Sequence, residues 1–198
     1  MVRLIRLGLA DVKTHVYGLA MSERLTTSDW IRHGLKTLAT RGPAALKAGP
    51  LAQALGVSRG SFYWHFADLA DFRAQLLAGW QARGTDQVIA DLEDAAVGPE
   101  RLKTLLRRAM SVKDPLERAV RAWAAEDPDV AAAVAAVDAR RIAYIEDLLV
   151  AAGVGKRAAR VRTTFLYWAY LGQPAVMDRD HASLDPQALD EIAALFEG

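Results

Sequence analysis

The chain has 198 residues, 52% hydrophobic and 25% charged, with no cysteine and a formal net charge of +1. That composition belongs to a folded globular chain, and without thiols it excludes a disulfide scaffold, a thiol nucleophile, an iron–sulfur ligand set and a thiolate zinc site. The near-neutral total hides an asymmetry: residues 1–66 carry nine basic groups against three acidic ones, a net +6, and the remainder carries −5. An uneven split of this kind is expected where one end of a chain meets a polyanion.

Residues 1–20 show a loose helical apolar pattern (Leu4, Ile5, Leu7, Leu9, Val12, Val16, Leu19) behind Arg3 and Arg6. Asp11, Lys13 and His15 interrupt it, so it does not read as a secretory leader. It reads either as an extension ahead of a start at Met21 or as a basic arm laid against DNA. No apolar run approaches the roughly 20 residues of a membrane helix. A cytoplasmic protein with no membrane partner is expected.

From Thr27 onward the apolar spacing is helical and strand alternation is absent, which predicts an all-α fold. Thr27 or Ser28 is placed to cap a first helix with the stripe Ile31, Leu35, Leu38 and Ala39, stopped by Arg41-Gly42-Pro43. A short helix over 51–55 follows, with Pro50 tolerated in its first turn, then a third over 58–66. Asp68 and Asp71 favour the N-terminus of a long helix running to about residue 94. Further helices are predicted over 100–112, 115–125, 128–152, 156–172 and 186–196. Three of these open on Asp-Pro, at residues 114–115, 127–128 and 185–186, where Asp caps and Pro presets φ.

The stretch from Leu51 to Phe62 has the mechanics of a helix-turn-helix. Ala52 is small where two helices cross, Gly56 can take positive φ to end the first, and Val57 packs under the turn. Ser58 is placed to cap the next helix, whose first residues Arg59, Gly60 and Ser61 point outward, as recognition side chains do. Tyr63, Trp64 and His65 cannot all face inward from consecutive helical positions, and their polar tips suit a groove wall. Phe62 and Phe66 suit a core.

The run Phe62-Tyr63-Trp64-His65-Phe66, followed by a break and Asp68, resembles the TetR family of bacterial transcriptional repressors, whose short recognition helix ends in Tyr-x-His-Phe. The motif-level match covers Thr27 to about Leu76. The resemblance implies a helix-turn-helix DNA-binding domain over 21–67 and a larger helical ligand-binding and dimerisation domain over 68–198. It implies that Arg59 and Ser61 read base edges, with Arg59 able to grip guanine bidentately. Gly60 would admit a close backbone, and Tyr63, Trp64, His65 and Lys47 would meet phosphates and sugars.

Two positions depart from the family pattern. Leu69 stands where a phosphate-binding Lys is usual, and Ala48 and Gly49 replace the usual Thr and basic residue. Arg73, one turn beyond Leu69, is the expected substitute.

In the larger domain the resemblance implies a homodimer through the last two helices, and a small-molecule effector. Trp80, Trp123, Tyr144, Phe165 and Trp168 are candidates to surround that effector, with Arg121 or His181 as a polar handle. The four histidines are scattered, and no phosphate loop, nucleophile elbow or metal-ligand spacing is present. No enzymatic activity, cofactor or metal is expected; Asp138-Ala139-Arg140-Arg141 reads as a solvated or salt-bridged face. Two functions follow: a ligand-responsive repressor on a palindromic duplex operator, or an all-α ligand-binding or interaction protein that has lost DNA recognition.

Overall fold

Thr26 opens the first helix with a reciprocal cap: its hydroxyl accepts the Asp29 N–H at 3.2 Å and the Asp29 carboxylate accepts the Thr26 N–H at 2.8 Å. The computed structural model describes residues 25–95, 98, 100–111, 114–176 and 183–197. The expected cap at Thr27 or Ser28 therefore moves back one or two residues, because only Thr26 has an acid three positions on to close the box. Helix α1 (Thr27–Arg41) ends at Gly42, with φ 74°. The basic arm and His181 lie outside the described residues.

Helix α2 (Ala48–Ala54) begins three residues earlier than the spacing predicts, with Pro50 in its first turn, where a missing N–H costs nothing. Gly56 takes φ 69° and helix α3 (Arg59–His65) follows. Ser58 occupies the N-cap position, but its side chain makes no capping hydrogen bond, a correction to its expected role. Asp68 does cap α4 (Leu69–Gln81), accepting the Asp71 N–H at 2.8 Å.

The expected long helix is present but not uniform. After α4 the chain makes a π-helical turn over Ala82–Asp86 before α5 (Gln87–Ala95). The side chain of Arg141 reaches this turn, donating from Nε to Thr85 Oγ1 at 2.8 Å and from Nη2 to the Gly84 carbonyl at 3.2 Å. The remaining helices are α6 (Glu100–Ser111), α7 (Pro115–Ala124), α8 (Pro128–Ala151), α9 (Lys156–Gly172) and α10 (Pro186–Glu197). All three Asp-Pro pairs cap as expected, Asp114 on Leu116 N–H, Asp127 on Asp129 N–H and Asp185 on Ala188 N–H. Every regular element among the described residues is helical, and none is a strand.

Helix α1 packs on α4 and α7, α8 on α7 and α9, and α10 on α6. The α1–α4 crossing is close because glycine sits on both sides. A Cβ at Gly34 would stand 2.6 Å from Phe72, and one at Gly79 would stand 2.7 Å from Ile31. One core runs from Trp30, Phe62, Phe66 and Phe72 through Leu76 and Trp80 to Val120, Trp123 and Val134. It crosses the 67/68 division without a break, so a displacement of α4 is felt by α3 through packed rings rather than through a hinge. A second core gathers Leu102, Leu106, Leu149, Leu166 and Ala193.

Candidate nucleic-acid interface and interior cavity

The exposed surface of α3 is decided by which aromatics its partners need. Phe62 and Phe66 are buried, Phe62 meeting Trp30 edge-on at 5.4 Å and Phe66 meeting Phe72 at 4.9 Å between centroids. The helical period then turns Arg59, Gly60, Tyr63 and Trp64 outward, all exposed together with Lys47 and Ser58, and leaves Ser61 half-buried. Trp64 is 87% exposed, far beyond what a core or a monomer surface requires of an indole. Arg59 leans along the helix, its Nη2 donating to Tyr63 Oη at 3.2 Å. Both side chains are thereby presented on one ridge.

His65 is placed differently from Tyr63 and Trp64. It is half-buried, and its Nδ1 is hydrogen-bonded to Thr27 Oγ1 at 3.2 Å, which ties α3 to the start of α1. Arg73, the expected substitute for a phosphate-binding Lys, is half-buried: its guanidinium lies 5.6 Å over the Trp123 ring and its Nε is buried without a hydrogen-bond partner. Ala48 is buried in the core, while Gly49 has nothing within 4 Å of a Cβ position, so the fold requires glycine at neither crossing nor turn there. A sequence signal missed above is that no acid occurs between Asp29 and Asp68, although Arg32, Lys36, Arg41, Lys47 and Arg59 do. A phosphate surface needs that absence of repulsion as much as it needs the cations.

In the larger part of the chain a cavity of about 610 Å³ lies between the π turn, α5, α6, α7, α8 and α9. Of the residues expected to surround an effector, Arg121 and Tyr144 line it. The other four candidates do not, which corrects the reading of one shared aromatic pocket. Trp80 and Trp123 are buried in the first core, and Phe165 and Trp168 are exposed, 59% and 67%. Periodicity marks these residues as apolar without saying which apolar surface each meets.

One wall of the cavity is a closed charge cluster. Glu117 accepts from Trp80 Nε1 at 3.2 Å, from Arg121 Nε at 2.8 Å and from Arg141 Nη1 at 3.0 Å. Asp138 accepts from Arg121 Nη2 at 2.6 Å and from Tyr167 Oη at 2.6 Å. Burial alone would raise the Asp138 carboxyl, but the Arg121 and Tyr167 hydrogen bonds hold it below the usual carboxylate range. Burial, then the bond to Asp138, pushes the Tyr167 phenol up. Burial opposes the charge on Arg121 and Arg141, and their carboxylate partners more than restore it. Asp138 and Arg141 thus face inward rather than into solvent, while Arg140 makes the surface pair with Asp86 at 2.7 Å. Among the described residues no group of side chains could hold a metal ion, and no helix is long and apolar enough to cross a membrane.

On α9 and α10 an apolar strip faces outward: Val161, Phe165 and Trp168, with Leu195 exposed nearby in sequence to Phe196, whose ring stacks on Phe165 at 6.0 Å.

Residues 31–74 match the sequence model described as bacterial regulatory proteins, tetR family. No curated protein matches the chain in sequence. Its fold is similar to that of the reduced form of NemR from E. coli, with TM-score 0.69 and 17% identity over 85% of this chain and 94% of that one. It is also similar to the fatty acid degradation regulator FadR from Bacillus halodurans, with TM-score 0.59 and 18% identity over 87% and 94% of the two chains. A TetR-family transcriptional regulator from Bordetella parapertussis 12822 aligns with TM-score 0.53 and 19% identity over 86% and 93%.

Proposed function

We propose that this chain, which carries a TetR-family DNA-binding domain within a TetR-type helical fold, is a ligand-responsive repressor that occupies a palindromic operator as a homodimer. The observation that carries the reading is the division of α3: Phe62 and Phe66 are spent on the core while Arg59, Gly60, Tyr63 and Trp64 stand in solvent. A seven-residue helix that exposes an arginine, a glycine and an indole on one ridge gains nothing from them as a free monomer. Against duplex DNA, Arg59 has the geometry to read guanine, and Tyr63, Trp64 and Lys47 to hold the sugar–phosphate backbone.

Two copies are needed to read two half-sites one helical turn apart, about 34 Å. The exposed strip of Val161, Phe165 and Trp168 supports α9 and α10 as the face that joins them. Regulation follows from position. The π turn lines the cavity and is continuous with α4, which a three-residue link separates from α3. A ligand that favours one placement of this turn favours one placement of α3, and DNA bound to the other placement opposes it by the same free energy.

The test is selection from a random duplex library by the full-length protein at near-physiological salt. Enrichment of an inverted repeat is the expected result. If no sequence enriches, Leu69 and Gly49 in place of phosphate-binding residues have removed DNA recognition, and the chain is an all-α ligand-binding or interaction protein.

A further inference from the structure

The cavity is apolar in its interior and cationic where it opens. Val88, Ile89, Leu106, Met110, Ile145 and Leu166 supply its walls, and its volume of about 610 Å³ suits an organic molecule of ordinary size. The charged groups of the interior are already committed to each other. Glu117 and Asp138 neutralise Arg121 and Arg141 through hydrogen bonds of 2.6 to 3.3 Å, so a ligand charge carried inside would have to break a buried pair to find a counter-ion. The inner part of a ligand is therefore uncharged.

The opening differs. Arg83 and Arg118 line the cavity, are exposed, and make no ion pair among the described residues. Arg108, also lining, is held by Asp91 at 2.8 Å. The lining acid Asp114 is occupied as a helix cap, accepting the N–H groups of Leu116 and Glu117 at 2.9 and 3.1 Å. Two unpaired guanidinium groups thus stand at the mouth against one exposed carboxylate, that of Asp114, which leaves the rim with a net positive charge.

We propose that the effector is an amphipathic organic anion, whose apolar body fills the cavity and whose acidic group is paired at the rim by Arg83 and Arg118. The inference rests on the cavity being the effector site of the regulator proposed above. Guanidinium groups suit this role because their planar fork meets a carboxylate with two parallel hydrogen bonds while the side chain remains hydrated.

The experiment compares decanoate, decanol and decyltrimethylammonium by calorimetric titration of the full-length protein, below their aggregation concentrations and at two salt concentrations. Decanoate is expected to bind about fivefold more tightly than decanol at low salt, as for an exposed ion pair, with the margin shrinking at high salt. In the double variant Arg83→Gln/Arg118→Gln that margin is lost while decanol binding is retained, which also shows that the variant folds. Ile145→Trp, which narrows the cavity, weakens both ligands. Equal or tighter binding of decyltrimethylammonium, a decanoate margin that survives the double substitution, or no binding of any probe overturns the proposal. Decanoate binding that follows the expected pattern but does not release operator DNA leaves the ligand class standing and overturns ligand-responsive repression instead.

Discussion

The guanidinium of Arg73, on α4, lies 5.6 Å over the ring of Trp123 on α7. This contact ties α4, the helix after α3, to α7 within one core. Cations over indole rings contribute about 0.5–2 kcal/mol, more when desolvated. Arg73→Ala is expected to lower the stability of the free protein by about 1 kcal/mol and to leave the salt dependence of operator binding unchanged. A salt slope reduced by about one unit in the variant would instead return Arg73 to a phosphate.

Arg59 has a partner in the free protein, Tyr63 Oη at 3.2 Å, that also orients it. Arg59→Ala is expected to cost about 1–3 kcal/mol and to relax preference at one base position per half-site, read from operator variants. A uniform loss across all positions would place Arg59 on the backbone of the DNA instead.

Gly60 has no role in the packing of the monomer. A Cβ there meets only Ser58 Oγ, at an ordinary 3.6 Å. Gly60→Ala should therefore raise the stability of the free protein by about 0.5–1 kcal/mol, the usual gain in a helix, and weaken operator binding through the methyl's collision with DNA. Gly34→Ala serves as contrast. Its methyl would stand 2.6 Å from Phe72, and overpacking of this kind costs about 1–3 kcal/mol.

Phe165 and Trp168 are more than half exposed on α9. The double substitution Phe165→Asp/Trp168→Glu is expected to convert a dimer to a monomer in sedimentation equilibrium, with helical content retained. A dimer that persists places the two-fold contact elsewhere.

Asp138 titrates below the usual carboxylate range in the folded chain, because the hydrogen bonds from Arg121 and Tyr167 outweigh burial. In the unfolded chain it regains an ordinary value of about 3.9. Between the two values the unfolded state binds more protons, so stability rises with pH there. The contribution is complete above about pH 4 and is lost as pH falls through the folded value. Asp138→Asn is expected to flatten this part of the melting temperature profile and to lower stability at neutral pH, since Arg121 then loses a carboxylate partner. An unchanged acid limb would show that the Arg121–Asp138 pair does not survive in solution.

The helix-turn-helix was legible because its causes are local. Gly56 ends one helix by its own φ, Phe62 and Phe66 lie four apart on one face, and the Asp-Pro caps bond to N–H groups two or three residues on. The cap of α1 was misplaced by one or two residues for the same local reason, since Thr26 was passed over for its neighbours. The candidate cavity was legible only at Arg121 and Tyr144. Arg141, which shapes the π turn, reaches Thr85 across 56 residues of sequence, a partnership that no spacing announces.

From the sequence alone the helical class, the three Asp-Pro helix starts, the cationic first third and the two inward phenylalanines of α3 were determined, because each depends on neighbours within a turn or two. Only the tertiary structure decided that Trp80 and Trp123 belong to the core, Phe165 and Trp168 to the surface, Arg73 to Trp123, Arg141 to the cavity wall, and Asp138 to the Arg121 and Tyr167 side chains of that wall. An apolar or charged face is written in the period of a helix. What lies against that face depends on how the helices cross, which here is set by the glycines of α1 and α4 and by arginines that find their carboxylates on other helices.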